Sequence, residues 1–318
     1  MSGSWLTRNQ WSRSPFVPAV GAAAILLAIA ASCYGLLGTR SVAKPFDESH
    51  LRVGILPERT AAESVRKSRR LLSYLEKDFG IPCHKVDVDS PEDLLDQFVA
   101  GEIDLALLNA YTFVQARQRC NAVPLVTRTN DPWSTAVLVA PAKTFAEASN
   151  RSLESFRGQS IATGPSHSTC GDLIPRHLLT RIGESPDSFF SEIHFCSHPN
   201  EIFEKLADGS TQLAAMNSNC LDKQSNADAA MLDSLSIVWE STPFVDHVWT
   251  VTNRMPVRIQ HRIRDAFLAL RESDPEHAAI LADQDSGGYL PVIVSDFDGV
   301  AELVRELNES GNHRSESP

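Results

Sequence analysis

Residues 90–109 read SPEDLLDQFVAGEIDLALLN, and residues 197–217 read SHPNEIFEKLADGSTQLAAMN, a second version of the same pattern. Identical residues recur at a constant offset of 108 positions: Pro91 and Pro199, Gly101 and Gly209, Leu105 and Leu213, Ala106 and Ala214, Asn109 and Asn217. Pro57 and Pro165 keep the same offset. We infer two similar halves; the alternative is that two separate helix–strand units converged on similar turns.

Short apolar strands alternate with amphipathic helices in each half, which is typical of an α/β fold. In the first half, strands are predicted at 51–56, 84–88 and 103–109, with helices between them. Open parallel sheets bind ligands beyond the carboxyl ends of their strands. Two lobes that face each other would therefore bring four strand-end loops to one crevice. The residues at these ends are Pro57, Asn109, Pro165 and Asn217.

Extended, β-branched segments at 134–142 and 236–244 flank the second half, and a further strand is predicted at 247–252. The first half is therefore completed by chain from the C-terminal region. We expect lobe 1 to comprise 41–135 with 242–310, and lobe 2 to comprise 136–241. Two extended crossings between lobes make a hinge.

The sequence predicts the buried face of one helix and the capping residue of another. The helix that follows Thr60 places Val65, Leu72, Leu75 and Phe79 at the spacing of one buried face. The last helix is expected to be capped by Ser295. We expect residues 311–318 to form a disordered tail.

The N-terminus carries a targeting signal. Arg8 and Arg13 precede the uncharged stretch 16–38, which is long enough to span a hydrocarbon core of about 30 Å as a helix. For residues 1–40 two interpretations remain open: a secretory signal cleaved before a lipidated Cys33, or an uncleaved membrane anchor. Both place the following chain outside the cytoplasm, on the periplasmic side of a bacterial envelope, and the positive-inside rule agrees.

Charge and cysteine content exclude several functions. The chain of 318 residues has a net charge of -11, and since 1–40 holds Arg8, Arg13 and Arg40 without acids, 41–318 carries -11 - 3 = -14. No basic face for nucleic acid is expected. The cysteines after Cys33 have no CxxC spacing, so zinc is not expected, while disulfides and free thiols both remain open. We expect neither metal nor cofactor.

Residues 163–171 read TGPSHSTCG and connect a strand to a helix. Ser166, Ser168 and Thr169 lie at or before the first helical turn, where backbone N–H groups are free and the helix dipole is positive. The cluster predicts an oxyanion site, and a capped helix without ligand is the alternative. His167 would donate to the ligand or lie exposed, and Arg59 would neutralise the anion or remain solvated.

The chain resembles the periplasmic phosphonate, phosphite or phosphate binding proteins of ABC importers. The resemblance covers about residues 51–308 and rests on five segments in order: EIDLALLNAYTFVQARQ (102–118), STCG (168–171), LAAMNSNCLDK (213–223), IVWESTPFVDH (237–247) and SDFDGVAEL (295–303). It implies a type II periplasmic binding protein fold. That fold has two lobes, each a mixed and mostly parallel sheet with flanking helices, and a two-stranded hinge.

The resemblance also implies a set of ligand contacts. Oxyanion contacts would come from Ser166, Ser168, Thr169, the Gly171 amide, Asn109, Tyr111 and Asn217. The 2-aminoethylphosphonate binders of this family also hold the amine of the ligand with acidic residues. Asp246 matches one of these acids, whereas Asn219 stands in place of another. The departure favours a simple oxyanion such as phosphite, phosphate or an alkylphosphonate.

The function implied is that of a non-enzymatic, monomeric solute-binding protein that closes around a small oxyanion and delivers it to an ABC permease in the membrane. A membrane-tethered sensor or scaffold with the same lobes is the alternative, which an uncleaved anchor would favour. An enzyme that acts through Cys170 and His167 is a third interpretation, disfavoured because no fixed His and Asp pattern accompanies them.

Overall fold

The computed structural model describes residues 43–57, 60–147, 152–227 and 229–315. The predicted signal or anchor at 1–40, with Cys33, and the predicted contact Arg59 lie outside the described residues. Among the helices that the structure describes, none is long and apolar enough to cross a membrane.

Strands and helices alternate as the sequence pattern predicts. The strands are β1 (Leu51–Gly54), β2 (Cys83–Val86), β3 (Leu105–Asn109), β4 (Val123–Arg128), β5 (Ala136–Pro141), β6 (Ser160–Thr163), β7 (Glu192–Phe195), β8 (Leu213–Asn217), β9 (Leu235–Glu240), β10 (His247–Val251) and β11 (Tyr289–Pro291). The helices are α1 (Ala61–Phe79), α2 (Pro91–Ala100), α3 (Ala110–Cys120), α4 (Ala142–Glu147), α5 (Ile174–Arg181), α6 (Pro186–Phe189), α7 (Pro199–Ala207), α8 (Ser218–Ala227), α9 (Ala229–Asp233), α10 (Val257–Ala269), α11 (Pro275–Asp283) and α12 (Asp298–Ser315).

Two mixed sheets form the framework. The six-stranded sheet has the order β11-β4-β10-β3-β1-β2, and the five-stranded sheet has the order β7-β6-β8-β5-β9. We refer to the parts built on these sheets as lobe 1 and lobe 2. In each sheet three strands are parallel, β2-β1-β3 and β7-β6-β8. The strands that follow at the crossings, β10 and β5, are antiparallel to their neighbours, so both sheets are mixed, as expected.

The repeated stretches occupy equivalent places in the two sheets. β3 and β8 are each flanked by a parallel strand on one side and by a crossing strand on the other. Asn109 and Asn217 end these two strands. The sequence repeat therefore becomes a structural repeat with an asparagine at each strand end that faces the opposite lobe.

Two crossings connect the sheets, one between β4 and β5 and one between β9 and β10. They run side by side, because Ser134 and Phe244 form an isolated antiparallel bridge. The N–H of Phe244 donates to the carbonyl of Ser134 at 2.9 Å. The structure thus has the two-stranded connection that the sequence predicts.

The buried face of α1 differs from the prediction. Val65 is 59% exposed, while Leu71 and Leu75 are fully buried and Ser68 takes the place expected of an apolar residue. The Ser68 hydroxyl donates to the backbone carbonyl of Ser64 at 2.7 Å, which satisfies it inside the protein. Ser64 and Ser68 therefore lie on the inner face of the first half of α1, and Val65 lies on the solvent side.

The C-terminal end also differs from the prediction. Ser295 lies within a short 3-10 turn, Val294–Phe297, and does not cap α12. The Asp296 carboxylate accepts the N–H of Ile293 at 2.8 Å and holds that turn. Residues 311–315 of the predicted tail continue α12.

Candidate functional site: the cleft between the two sheets

A cavity of about 190 Å³ lies where the carboxyl ends of the two sheets meet. Its walls come from both lobes and from the crossing that leads into β10. The lining residues include Leu56, Pro91, Asn109, Gly164, Pro165, Ser168, Thr169, Cys170, Gly171, Cys196, Ser197, His198, Pro199, Asn217, Cys220, Asp246 and His247. This volume is below the range of about 300–1,000 Å³ typical of drug-sized ligands. The site is suited to a small molecule.

The loop after β6 builds one wall of the cavity. Ser168 is extended and precedes a single turn of π-helix, Thr169–Leu173, that leads into α5. The Ser168 hydroxyl accepts the N–H of Gly171 at 3.1 Å, and the Ser168 carbonyl accepts the N–H groups of Asp172 and Leu173 at 3.0 Å. Ser168 therefore caps the helix, and both it and the Gly171 amide are already engaged.

Two backbone amides at this turn remain available. The N–H groups of Thr169 and Cys170 have no hydrogen-bond acceptor among the described residues. Both residues line the cavity and are nearly fully buried. Unpaired donors at a helix N-terminus attract an anion, because the helix dipole adds positive potential at that end. The turn thus offers two preorganised donors to an anion.

Close backbone packing fixes this turn. A Cβ built on Gly171 would lie 2.5 Å from the backbone nitrogen of Gly164 and 2.7 Å from its Cα. The two glycines allow the start of the helix to pack directly against the end of β6. The direction of the Thr169 and Cys170 amides depends on that contact.

Thr169 connects the turn to lobe 1. Its hydroxyl donates to Asn109 Oδ1 at 3.1 Å and accepts the N–H of Tyr111 at 3.1 Å. Asn109 in turn donates from Nδ2 to the carbonyl of His167 at 3.0 Å and caps α3 by accepting the N–H of Thr112. These contacts cross the cleft and join the two lobes directly.

Asn217 makes the corresponding contact in the opposite direction. Its Nδ2 donates to Asp246 Oδ2 at 2.6 Å, and its Oδ1 accepts the N–H of Asn219 at 2.7 Å. In each repeat, the asparagine Oδ1 accepts a backbone N–H at the start of the following helix, and its Nδ2 donates to a residue on the other side of the cleft. The repeat predicted that both asparagines end their strands, and the structure adds the hydrogen bonds that each one makes.

Asp246 belongs to a buried polar network at the hinge. His247 Nδ1 lies 2.8 Å from Asp246 Oδ2, and Arg128 Nη2 lies 3.3 Å from the same His247 nitrogen. Arg128 also donates to both oxygens of Asp131, at 2.8 and 2.9 Å. Although acceptor atoms of Asp131, Asp246 and His247 lie within 4.8 Å of one another, the guanidinium of Arg128 already serves as the cation of this cluster.

The network keeps Asp246 ionised. Burial raises the pKa of Asp246. Three neighbours lower it by a larger amount: His247 through its charge and hydrogen bond, Arg128 through its charge, and Asn217 through its hydrogen bond. The pKa of Asp246 therefore lies below its usual value. A negative charge therefore lines a cavity whose amides favour an anion.

The predicted contacts divide into two groups. Asn109, Ser168, Thr169, Gly171, Asn217 and Asp246 line the cavity. Ser166 is exposed and lines a separate surface pocket beside Pro175 and Arg176. His167 and Tyr111 stack on each other at 5.7 Å between ring centroids, outside the cavity lining. Asn219 donates to the hydroxyl of Ser134 at 2.9 Å, toward the hinge.

His198 is a lining residue that the sequence reasoning missed. It caps α7 with its side chain, since Nδ1 accepts the N–H of Asn200 at 3.2 Å. In the neutral ring the proton then lies on Nε2, which makes Nε2 a donor. His198 stands 108 positions after Ser90, the cap of α2, so comparison of the two repeats would have singled it out.

The fold and the cleft define a two-lobed solute-binding protein. A family model described as ABC transporter, phosphonate, periplasmic substrate-binding protein matches residues 53–297. The chain belongs to this family, because the match covers most of its length. Membership implies an extracytoplasmic location, a small ligand and a permease partner in the membrane.

Individual relatives agree with that assignment. The phosphate-import protein PhnD of Mycolicibacterium smegmatis is 23% identical over 300 residues, which cover 88% of this chain and 92% of the relative. The structure of PhnD1 from Prochlorococcus marinus in complex with methylphosphonate has a TM-score of 0.72 at 19% identity, covering 82% and 99% of the two chains. A binding protein component of an ABC phosphonate transporter from Pseudomonas aeruginosa has a TM-score of 0.69 at 15% identity, covering 83% and 88%.

Proposed function

We propose that this chain captures a phosphorus oxyanion, namely phosphate, phosphite or a simple phosphonate, in the cleft cavity and passes it to the permease of an ABC importer. The observation that carries the proposal is the pair of unpaired amides of Thr169 and Cys170, two residues that line a small cavity between the lobes. Such donors replace the hydration shell of an anion with fixed dipoles. The names of the relatives, one for phosphate and one with methylphosphonate, agree with this class of ligand.

The cavity favours an oxyanion without an amine. Asn219 is directed to the hinge, and Asp246 already accepts hydrogen bonds from Asn217 and His247. A pair of free carboxylates for an ammonium group is therefore missing among the described lining residues. His198 Nε2 adds a further donor, which suits an additional oxygen of the ligand.

The two lobes and the N-terminal segment would act together. The lobes would be 41–135 with 242–310, and 136–241, and they would open about the paired crossings near Ser134 and Phe244. Residues 1–40 would act either as a secretory signal that is cleaved before a lipidated Cys33 or as an uncleaved membrane anchor. Arg59 would neutralise part of the charge of the anion. The protein would act as a monomer and perform no chemistry on its ligand.

Binding tests this proposal directly. The purified full chain is titrated calorimetrically with phosphate, phosphite, methylphosphonate and 2-aminoethylphosphonate, and thermal unfolding is followed in parallel. A bound ligand at about 100 times its dissociation constant should stabilise the protein by about 2.7 kcal/mol. Absence of binding by all of these anions would contradict the proposal and favour a sensor or scaffold.

The Thr169→Val variant is expected to bind the oxyanion about tenfold more weakly. Valine keeps the shape of threonine but removes the contacts to Asn109 and Tyr111 that close the cleft, and such hydrogen bonds contribute about 0.5–1.5 kcal/mol each. Thr180→Val on α5 is the matched control, since Thr180 does not line the cavity. Calorimetry should show no change for the control, and equal losses for both variants would contradict the assigned role of Thr169.

Slow thiol modification is expected if the site is a binding site without a nucleophile. Burial raises the pKa of Cys170 well above its usual value and raises that of Cys220 to about 11, so both remain protonated near neutral pH. All five described cysteines are free thiols with a raised pKa. Iodoacetamide should react slowly with the native protein and rapidly after unfolding. One fast native thiol in the cavity would point to catalysis instead.

A further inference from the structure

Two ion pairs join the lobes outside the cavity. Lys223 on α8 of lobe 2 lies 3.0 Å, from Nζ to Oδ2, from Asp285, which precedes β11 of lobe 1. His177 on α5 of lobe 2 lies 2.6 Å, from Nε2 to Oε2, from Glu306 on α12, a helix that packs against α3 of lobe 1. None of these four residues lines the cavity. The pairs therefore connect the lobes without contact to a ligand in the cavity.

The two helices of lobe 2 that carry these pairs both begin at the cavity. α5 follows the turn with the unpaired amides of Thr169 and Cys170. α8 follows Asn217, which lines the cavity, and its first turn includes Cys220, a second lining residue. A movement of either helix relative to lobe 1 therefore changes the cavity wall and the ion pair together.

Asp285 is a preorganised acceptor within lobe 1. It lies between α11 and β11 with a left-handed φ of 52°. The preceding Gln284 is fixed from two sides, because its Nε2 donates to the carbonyl of Lys67 at 2.8 Å and its own carbonyl accepts Arg128 Nη1 at 3.3 Å. Lys67 Nζ also lies 3.0 Å from Asp285 Oδ2. The carboxylate therefore keeps its position and one cationic partner when Lys223 departs.

The contact between Lys223 and Asp285 can form and break at small cost. Burial raises the pKa of Asp285, but Lys223 and Lys67 lower it by a larger amount through their charges and hydrogen bonds, so the pKa lies below its usual value. Opening would break only the contact with Lys223, because Lys67 and Asp285 belong to the same lobe. The Lys223 side chain is 56% exposed and that of Asp285 is 36% exposed, so neither charge is left buried without a partner.

We propose that the pairs Lys223–Asp285 and His177–Glu306 are closure contacts, which raise the affinity for the oxyanion by holding α8 and α5 against lobe 1. This inference rests on the proposed function and adds residues that set how firmly the cavity is closed. A contact made only in the binding-competent arrangement increases the fraction of chains in that arrangement, and the apparent affinity rises with that fraction. Because neither pair touches the ligand, the gain is the same for every oxyanion.

The Lys223→Met variant of the full chain is expected to bind phosphate, phosphite and methylphosphonate about two- to fivefold more weakly, by one common factor. Methionine retains a long unbranched side chain and removes the charge. Calorimetry at low ionic strength measures the three affinities, and the factor should shrink toward one at about 1 M NaCl, because exposed pairs are screened by salt. Parent-like affinities at low ionic strength, or a factor that differs between the anions, would overturn the proposal.

A double-mutant cycle distinguishes the ion pair from any other role of Lys223. Asparagine tolerates a left-handed φ, so Asp285→Asn removes the charge and leaves the backbone unstrained. On this background Lys223→Met should cause little further loss of affinity, because the charged partner is already absent. A loss as large as in the parent background would show that Lys223 does not act through Asp285.

The second pair is tested by Glu306→Ala, with Lys205→Met as the control for both pairs. Removal of the Glu306 carboxylate leaves His177, whose side chain is 12% exposed, without its acceptor, and all three oxyanions should bind about fivefold more weakly. Lys205 lies on α7, another helix of lobe 2 that begins at the cavity, and it makes no ion pair among the described residues. Its variant should bind as the parent does. Parent-like binding by Glu306→Ala would overturn the role of its pair.

The behaviour of the parent separates this inference from the proposed function. Failure of every phosphorus oxyanion to bind the parent overturns the function and with it the inference. Binding by the parent together with unchanged affinities in Lys223→Met and Glu306→Ala retains the function and overturns only the closure contacts.

Discussion

The Asp131→Ala variant is expected to lose about 3–5 kcal/mol of its free energy of unfolding. Asp131 is fully buried and receives two hydrogen bonds from Arg128, whose side chain is 15% exposed. Removal of the carboxylate leaves a buried guanidinium without its partner at the point where β4 leads into the first crossing. Breaking such a pair from one side is costly, because the remaining charge is poorly solvated.

Urea denaturation measures this loss, with Glu309→Ala as the control. Glu309 also pairs with an arginine, Arg305 at 2.8 Å, but both side chains are more than half exposed. Exposed pairs contribute about 0–1 kcal/mol, so the control should unfold nearly as the parent does. Similar free energies of unfolding for the two variants would show that the Arg128–Asp131 pair does not hold the hinge.

The sequence repeat was sufficient to predict the main features of the fold. A constant offset fixed the equivalence of β3 and β8 and placed Asn109 and Asn217 at strand ends that face each other. These positions are predictable because strand-end caps depend on local backbone geometry, which recurs wherever the local sequence recurs. The crossings were also predictable, since they interrupt the repeat with extended residues.

Side-chain direction in the binding turn was not predictable. Ser166 and Ser168 look equivalent in the sequence, yet Ser166 is exposed and Ser168 caps the turn. Between them His167 has φ of 65°, a left-handed conformation that reverses the chain direction locally. The use of His198 as a cap could not be read from residue type alone, because serine, threonine, aspartate and asparagine are the usual caps.

The Gly171→Ala variant is expected to bind the oxyanion about 100-fold more weakly and to lose about 1–3 kcal/mol of its free energy of unfolding. The new methyl group would lie 2.5 Å from the Gly164 nitrogen, where backbone atoms cannot rotate away. The π-turn must therefore shift, and the amides of Thr169 and Cys170 shift with it. Displacement of binding groups by about 1 Å is enough for a loss of this size.

The matched control for this variant is Gly299→Ala on α12. A Cβ at Gly299 has no heavy atom within 4 Å, and alanine in a helix is favoured over glycine by about 0.5–1 kcal/mol. Calorimetry and urea denaturation should show parent-like binding with equal or higher stability. If Gly171→Ala loses stability but binds the oxyanion as the parent does, the amides of this turn do not form the anion site, because their direction cannot survive the shift. Loss of affinity together with circular dichroism unchanged from the parent would instead locate the anion at the start of this helix, since only the local geometry of the turn separates the two proteins.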